Sequence, residues 1–430
     1  MKILSNSTSK AVLLGVVLVT ALLLRIAPSF YSNNLFSTDV WPLYRDTLVL
    51  TNNPSLKIFD DKSFDGYNNR WPGVILSTTY YSVLTGLDPS YVYMYVYVIV
   101  LGLSTMLGFF ILAKRFEKNI SPTISLLIFS LIPSLIVFTA SPLKEVYAYP
   151  LFYIIMYYFT KIVLGRASPR DYFIVIVSAT AMLLVHHLAI YMLTGFWISI
   201  LLVGIIHKLV IGGDSLDLNL RGSILIYLYL LFSMTTYFLV IGYKYMSSAL
   251  STPYIETFLI YAFTVYLGYL VFYNDRAVSE KTLVAIILLL LVSVLLMYKT
   301  VFLLPGVLVY KDMIIWYVLP IIPGLLLYGI KIDDLFLKTI IFGTGLFIFL
   351  NTVFVLLGAP IYSSILHRFA DYVVIPISLL AGYMFRKPGV IYKSLTILLA
   401  SLTILSGTMV IYNIVTYNPD VSFFWYYPSV

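Results

Sequence analysis

Asp39, in Ser37-Thr38-Asp39-Val-Trp-Pro-Leu-Tyr44, opens the acidic part of a hydrophilic stretch, Pro28 to Arg70, that also carries Asp46, Asp60, Asp61 and Asp65. A carboxylate there can act as a general base toward an attacking hydroxyl. The same residues also read as a helix start, with Ser37 or Thr38 as cap and Pro42 in the first turn, which would make Asp39 a capping carboxylate. A second short polar set is Ser141-Pro-Leu-Lys144-Glu145, where the charged pair either works on a ligand or marks the water boundary by snorkelling. The third is His186-His187 after Met182-Leu-Leu-Val185. Adjacent histidines diverge by ~100° on a helix, so one of them bonding a phosphate or sugar is favoured over a shared metal. The fourth is Leu366-His367-Arg368-Phe-Ala-Asp371-Tyr372, in which Arg368 offers a bidentate grip on phosphate or a local ion pair with Asp371.

Other chemistries are excluded by what the chain lacks. It has no cysteine, so thiol catalysis, thiolate zinc and disulfides are out. No phosphate-binding glycine loop, HExxH, GxSxG or dinucleotide fingerprint occurs, which argues against a nucleotide-driven pump or a metalloprotease. Chemistry without a nucleotide at the outer surface needs an activated substrate already in the membrane, and a lipid-linked phosphosugar meets that need.

The elements that must hold these groups are membrane helices. Of 430 residues 61% are hydrophobic and 11% charged, less than half the charge of ordinary soluble chains. The apolar runs are long enough to cross ~30 Å of hydrocarbon as helices and lack strand alternation. The expected fold is an all-α polytopic membrane protein of about 13 transmembrane helices, at 11–27, 90–113, 122–139, 146–164, 172–193, 195–211, 222–242, 257–273, 282–298, 313–330, 339–357, 371–385 and 393–415. It is read as one domain over 1–430, with a first extracytoplasmic loop at 28–89 carrying interfacial helices and a short extracytoplasmic tail at 416–430. The run from Ala11 is read as the first span rather than a cleaved leader, because Arg25-Ile-Ala-Pro28 offers no small-residue cleavage site.

Orientation turns on Trp71 to Gly86, an apolar but short segment. Laid at the outer surface, it sends the loops at 114–121, 161–171, 207–221, 274–281, 331–338 and 386–393 inside with the amino terminus, gathering 17 of the 27 Lys and Arg. The positive-inside rule favours that choice, with the amino terminus cytoplasmic and the carboxy terminus extracytoplasmic in the cell membrane. The net charge of +8 is then an orientation signal, and nucleic acid is not an expected partner. The many tyrosines flanking the spans read as an interfacial aromatic belt.

Leu24-Arg25-Ile followed about a dozen residues later by Asp39-Val-Trp-Pro-Leu-Tyr44 resembles the first span and first outer loop of the GT-C superfamily of membrane glycosyltransferases. Arg70-Trp-Pro-Gly73, Leu84-Thr-Gly-Leu-Asp88 and Lys114-Arg115 are similar to that family's juxtamembrane helix and second span. Ser141-Pro-Leu-Lys144-Glu145, His186-His187-Leu188 and Arg368-Phe-Ala-Asp-Tyr372 resemble segments of archaeal members. The resemblance implies a polyprenyl- or dolichyl-phosphate-linked sugar donor and a glycan, lipid or protein acceptor. It also implies Asp39 as the catalytic carboxylate, with Lys144, Glu145, His186, His187 and Arg368 lining the donor site. Val40 stands where the family often has a second acidic residue, so a metal is left open. A monophosphate donor would need none, and a diphosphate donor would recruit Mg²⁺ or Mn²⁺. The short tail lacks the Trp-Trp-Asp motif of the oligosaccharyltransferase branch.

The expected reaction is inverting transfer of one sugar, with Asp39 as general base and the basic residues meeting the phosphate that leaves. The alternatives are a transporter or lipid-linked glycan flippase, a glycan polymerase or ligase, and a non-catalytic subunit. No matching halves support a transporter. The cysteine-free, Ile- and Tyr-rich composition fits a hot habitat and an archaeal source.

Overall fold

The computed structural model describes residues 7–211, 218–242, 331–356 and 366–416, with 316, 319–321, 323–324, 327 and 330. The expected spans at 257–273 and 282–298, most of 313–330 and the tail from Tyr417 lie outside the described residues. Within them the chain is helical and contains no strand. Six helices are long and apolar enough to cross a bilayer, and a seventh crossing is made if one bent pair counts as a span. This is a helical membrane protein; the remaining expected spans fall on helices not counted among these or outside the described residues.

Helix α1 (Ser7–Ser32) runs into a first loop containing α2 (Val40–Asn52) and α3 (Gly73–Thr85). α3 has 13 residues, about 20 Å at ~1.5 Å per residue, too short to cross. Its buried face is mixed, Val74 and Ile75 with Thr78, Thr79 and Ser82, while Leu76, Tyr80, Val83 and Leu84 are exposed. Gly86, at φ +72°, ends α3 in the left-handed region. α4 (Pro89–Tyr91), a π-helical stretch Val92–Tyr97 and α5 (Val98–Lys114) then form one continuous rod.

The expected span 122–139 is broken into α6 (Pro122–Leu131) and α7 (Pro133–Ala140), bent by 63°. Pro133 has no N–H and pushes Ile132 into extended geometry, φ −67° and ψ 133°. The carbonyls loosened by the break find other partners. Arg25 Nη1 donates to Ser130 O at 2.9 Å and to Ala21 O at 2.8 Å, while its Nε donates to Thr139 Oγ1 at 2.7 Å. Gly407, on the last helix, packs against Leu131 O so closely that a Cβ there would stand 2.4 Å away. α1 extends one turn beyond the expected end at residue 27, and Arg25 is 1% exposed, tying α1 to both halves of the bent pair.

The boundary expected at 193–195 also moves. α8 (Lys144–Val163) is followed by α9 (Pro169–Val185), which Ser168 and Asp171 start with a capping box, and then by α10 (His187–Ile211). The turn between α9 and α10 is the single residue His186. α11 (Leu220–Val240), α12 (Leu335–Leu356), α13 (Leu366–Arg386) and α14 (Val390–Val415) complete the described bundle.

Contacts sort the helix ends into two sets. At one end Asn219 N–H bonds Val163 O at 2.8 Å, Asn119 bonds Asp334, and Arg386 Nη2 reaches Glu117 O at 3.0 Å. The ends of α5, α8 and α13 and the starts of α6, α9, α11 and α12 therefore share that end. At the other lie Lys144, His186 and the first loop, which Tyr237 of α11 ties down by donating to Arg70 O at 2.7 Å.

Candidate functional site

The turn from Asp65 to Trp71 is built by side chain to backbone bonds. Asp65 Oδ1 accepts from the N–H groups of Tyr67 at 2.8 Å and Asn68 at 2.6 Å, an Asx-type turn, and its other oxygen accepts from the Asn68 amide. Arg70 Nη2 pairs with Asp61 Oδ2 at 2.5 Å. These bonds aim Tyr67 and Trp71 down at the start of α8. Gly73 lets the chain pass the end of α9: a Cβ there would meet Val185 Cγ2 at 2.8 Å and Leu184 O at 3.1 Å.

Beneath this cover lies Lys144. An extended stretch from Ser141 to Leu143 delivers it to the first turn of α8, where it is 8% exposed. Its Nζ stands 3.9 Å from the centre of the Tyr67 ring and 5.3 Å from that of Trp71, within cation–π range of both. The His187 ring lies 4.6 Å from Trp71, 6.4 Å from Tyr67 and 4.9 Å from His186. Lys144, His186 and His187, expected together from sequence, are thus gathered by two aromatic residues that sequence reading passed over.

The two histidines have different work. His186 is extended, φ −157° and ψ 123°, and its Nδ1 accepts the N–H of Ala189 at 3.3 Å. It is the cap of α10, and that bond assigns the neutral ring's proton to Nε2. His187 begins the helix and faces the aromatic cover. Glu145, 1% exposed, is turned to another group: it lies within electrostatic reach of Tyr149 and Tyr372, whose rings are 5.9 Å apart. Arg368 falls in the first turn of α13, four residues before Tyr372; its side chain lies outside the described residues.

Asp39, not Ser37 or Thr38, occupies the cap position of α2. It is exposed, and its carboxylate makes no capping hydrogen bond. Ser37, at φ +83°, turns the chain into the helix instead. Behind Asp39 is a carboxylate that sequence reading only counted. Asp46 on α2 is fully buried, with Arg45 Nη2 3.6 Å from its Oδ1. Burial, then the negative charge of Asp65, push it up to about 7, against the opposing pull of Arg45. The Asx turn that aims Tyr67 and the shifted Asp46 therefore share Asp65. Among the described residues no group of three His, Asp or Glu is spaced to hold a metal ion.

No protein-family model matches the chain, and no curated protein matches it.

Proposed function

We propose that the chain is a membrane glycosyltransferase that moves a sugar from a polyprenyl- or dolichyl-phosphate donor to an acceptor hydroxyl at the extracytoplasmic face. The observation that carries this reading is the Lys144 ammonium under Tyr67 and Trp71, with His187 against the same rings. A cation and an imidazole suit a phosphate, and aromatic faces suit the apolar face of a sugar. The group sits at the bundle end where a lipid headgroup lies, opposite the end that collects Lys114, Arg115, Lys118, Arg166 and Arg386. The positive-inside rule makes that opposite end cytoplasmic.

In the reaction the acceptor oxygen forms its bond to the anomeric carbon as the bond from that carbon to the phosphate oxygen breaks. Asp39 takes the acceptor's proton, and the lipid phosphate leaves with one further negative charge, met by Lys144 and His187. Arg368 is assigned to the same phosphate. Displacement from the far side inverts the anomeric centre. If the donor is a diphosphate, Mg²⁺ or Mn²⁺ would join its oxygens.

The test is transfer of radiolabelled hexose from a dolichyl-phosphate panel in proteoliposomes, with native membrane extract as acceptor. Loss of transfer in Asp39→Asn and in Lys144→Met, with thermal stability retained, supports the reading. Equal transfer by all variants removes these residues from the chemistry, and flipping of lipid-linked sugar without transfer favours the flippase.

A further inference from the structure

At the end of the bundle opposite Lys144, the loop after α5, the loop after α8 and the start of α12 enclose a cleft of about 660 Å³. Its charged lining is four cations, Lys114, Arg115, Lys118 and Arg166, against two carboxylates, Glu117 and Asp334. Among the described residues none of the four cations is in an ion pair. Asp334 caps α12 through Leu337 N–H at 2.8 Å and holds Asn119, and Glu117 stands exposed at the rim.

The cleft is not a wholly aqueous basin. α5 brings the half-exposed Ile111 to one wall, one turn before Lys114, and Leu164 and Phe336 add apolar surface on two others. Lys114 ends, and Arg115 caps, a helix long and apolar enough to cross the bilayer, so the rim lies where hydrocarbon gives way to water. A ligand must therefore present negative charge to four cations and apolar surface to Ile111 within a single molecule. Arg115 and Arg166 can each grip two oxygens of a phosphodiester, whereas the lysines act as point charges. The volume is within the usual range of small-molecule sites and admits a headgroup with its glycerol backbone.

We infer that this cleft binds one anionic phospholipid, phosphodiester among Lys114, Arg115, Lys118 and Arg166, acyl chains leaving along Ile111. The site is independent of the transfer chemistry at the far end. Its occupation pins together the loop after α5, the loop after α8 and the start of α12, the first and last of which are joined by the Asn119–Asp334 bond.

Native mass spectrometry of the full chain in detergent, with equimolar phosphatidylglycerol and phosphatidylcholine, reads the site directly. Wild type should retain phosphatidylglycerol about tenfold over phosphatidylcholine, and K114Q/R115Q/K118Q/R166Q should lose that preference. Glu117→Gln, which removes a negative charge from the rim, should raise phosphatidylglycerol retention severalfold. Equal retention of both lipids by wild type, or an unchanged preference in the quadruple variant, overturns the proposal. If the quadruple variant does not fold, Glu117→Gln decides, and absence of a rise overturns it. Millimolar glycerol 3-phosphate or inorganic phosphate is the competing arm: displacement of the lipid would identify a soluble phosphate as the ligand and sink the lipid assignment.

Discussion

Lys144 Nζ lies 3.9 Å from the ring centre of Tyr67, so a residue of the first loop covers a cation at the head of α8. This contact crosses 77 positions of sequence and is one of the ties between the Asx turn at Asp65 and the bundle. A double-mutant cycle on thermal unfolding, Tyr67→Ala with Lys144→Met, should return a coupling of about 0.5–2 kcal/mol. Additive single changes would mean that the loop is held by other bonds.

Arg25 should act as the clamp of the bent pair. Arg25→Met leaves Ser130 O and Thr139 Oγ1 without their donor in an apolar interior, at a cost of about 2–4 kcal/mol. Gly407→Ala forces a methyl against Leu131 O and should cost ~1–3 kcal/mol. Denaturation in a defined detergent measures both. A neutral Arg25→Met would show that the break at Ile132 is held by packing alone.

His186 and His187 should separate by assay. His186→Ala removes a helix cap and should lower stability by ~1 kcal/mol, and His186→Asn, a good cap, should restore it. His187→Ala should leave the melting temperature nearly unchanged and lower sugar transfer. The reverse pattern would exchange the two roles.

Asp46 gives a pH signature. Its native pKa of about 7 lies above the ordinary value of 3.8, so between those values the folded chain binds a proton that the unfolded chain releases. Stability is therefore full below pH ~4, falls as pH rises toward 7 and is flat above, by at most ~4 kcal/mol. Asp46→Asn should abolish that slope and melt higher than wild type at pH 8. A wild-type melting temperature independent of pH from 4 to 7 would refute the shift.

The interfacial reading of 71–86 rests on length and charge, and α3 has 13 residues, too few to cross as a helix. The break at Ile132 was written in the sequence as Pro133, yet the apolar run from 122 to 139 outweighed one residue. The turn at His186 had no such mark. Neither glycine nor proline stands between Leu184 and Leu188, and the break depends on an imidazole that supplies the missing acceptor for the Ala189 N–H.

Composition and run length by themselves determined that this is a helical membrane protein, because burying or exposing apolar runs of that length leaves few other solutions. They also marked Lys144, His186 and His187, since polar groups are costly at membrane depth and stand out against it. Tertiary structure alone decided that Tyr67 and Trp71 roof Lys144, that Arg25 holds a broken helix, and that Asp65 raises Asp46. Each of these depends on residues distant in sequence meeting in a low-dielectric interior, where a neighbour's charge or ring changes what a side chain does. No local pattern encodes which neighbour that will be.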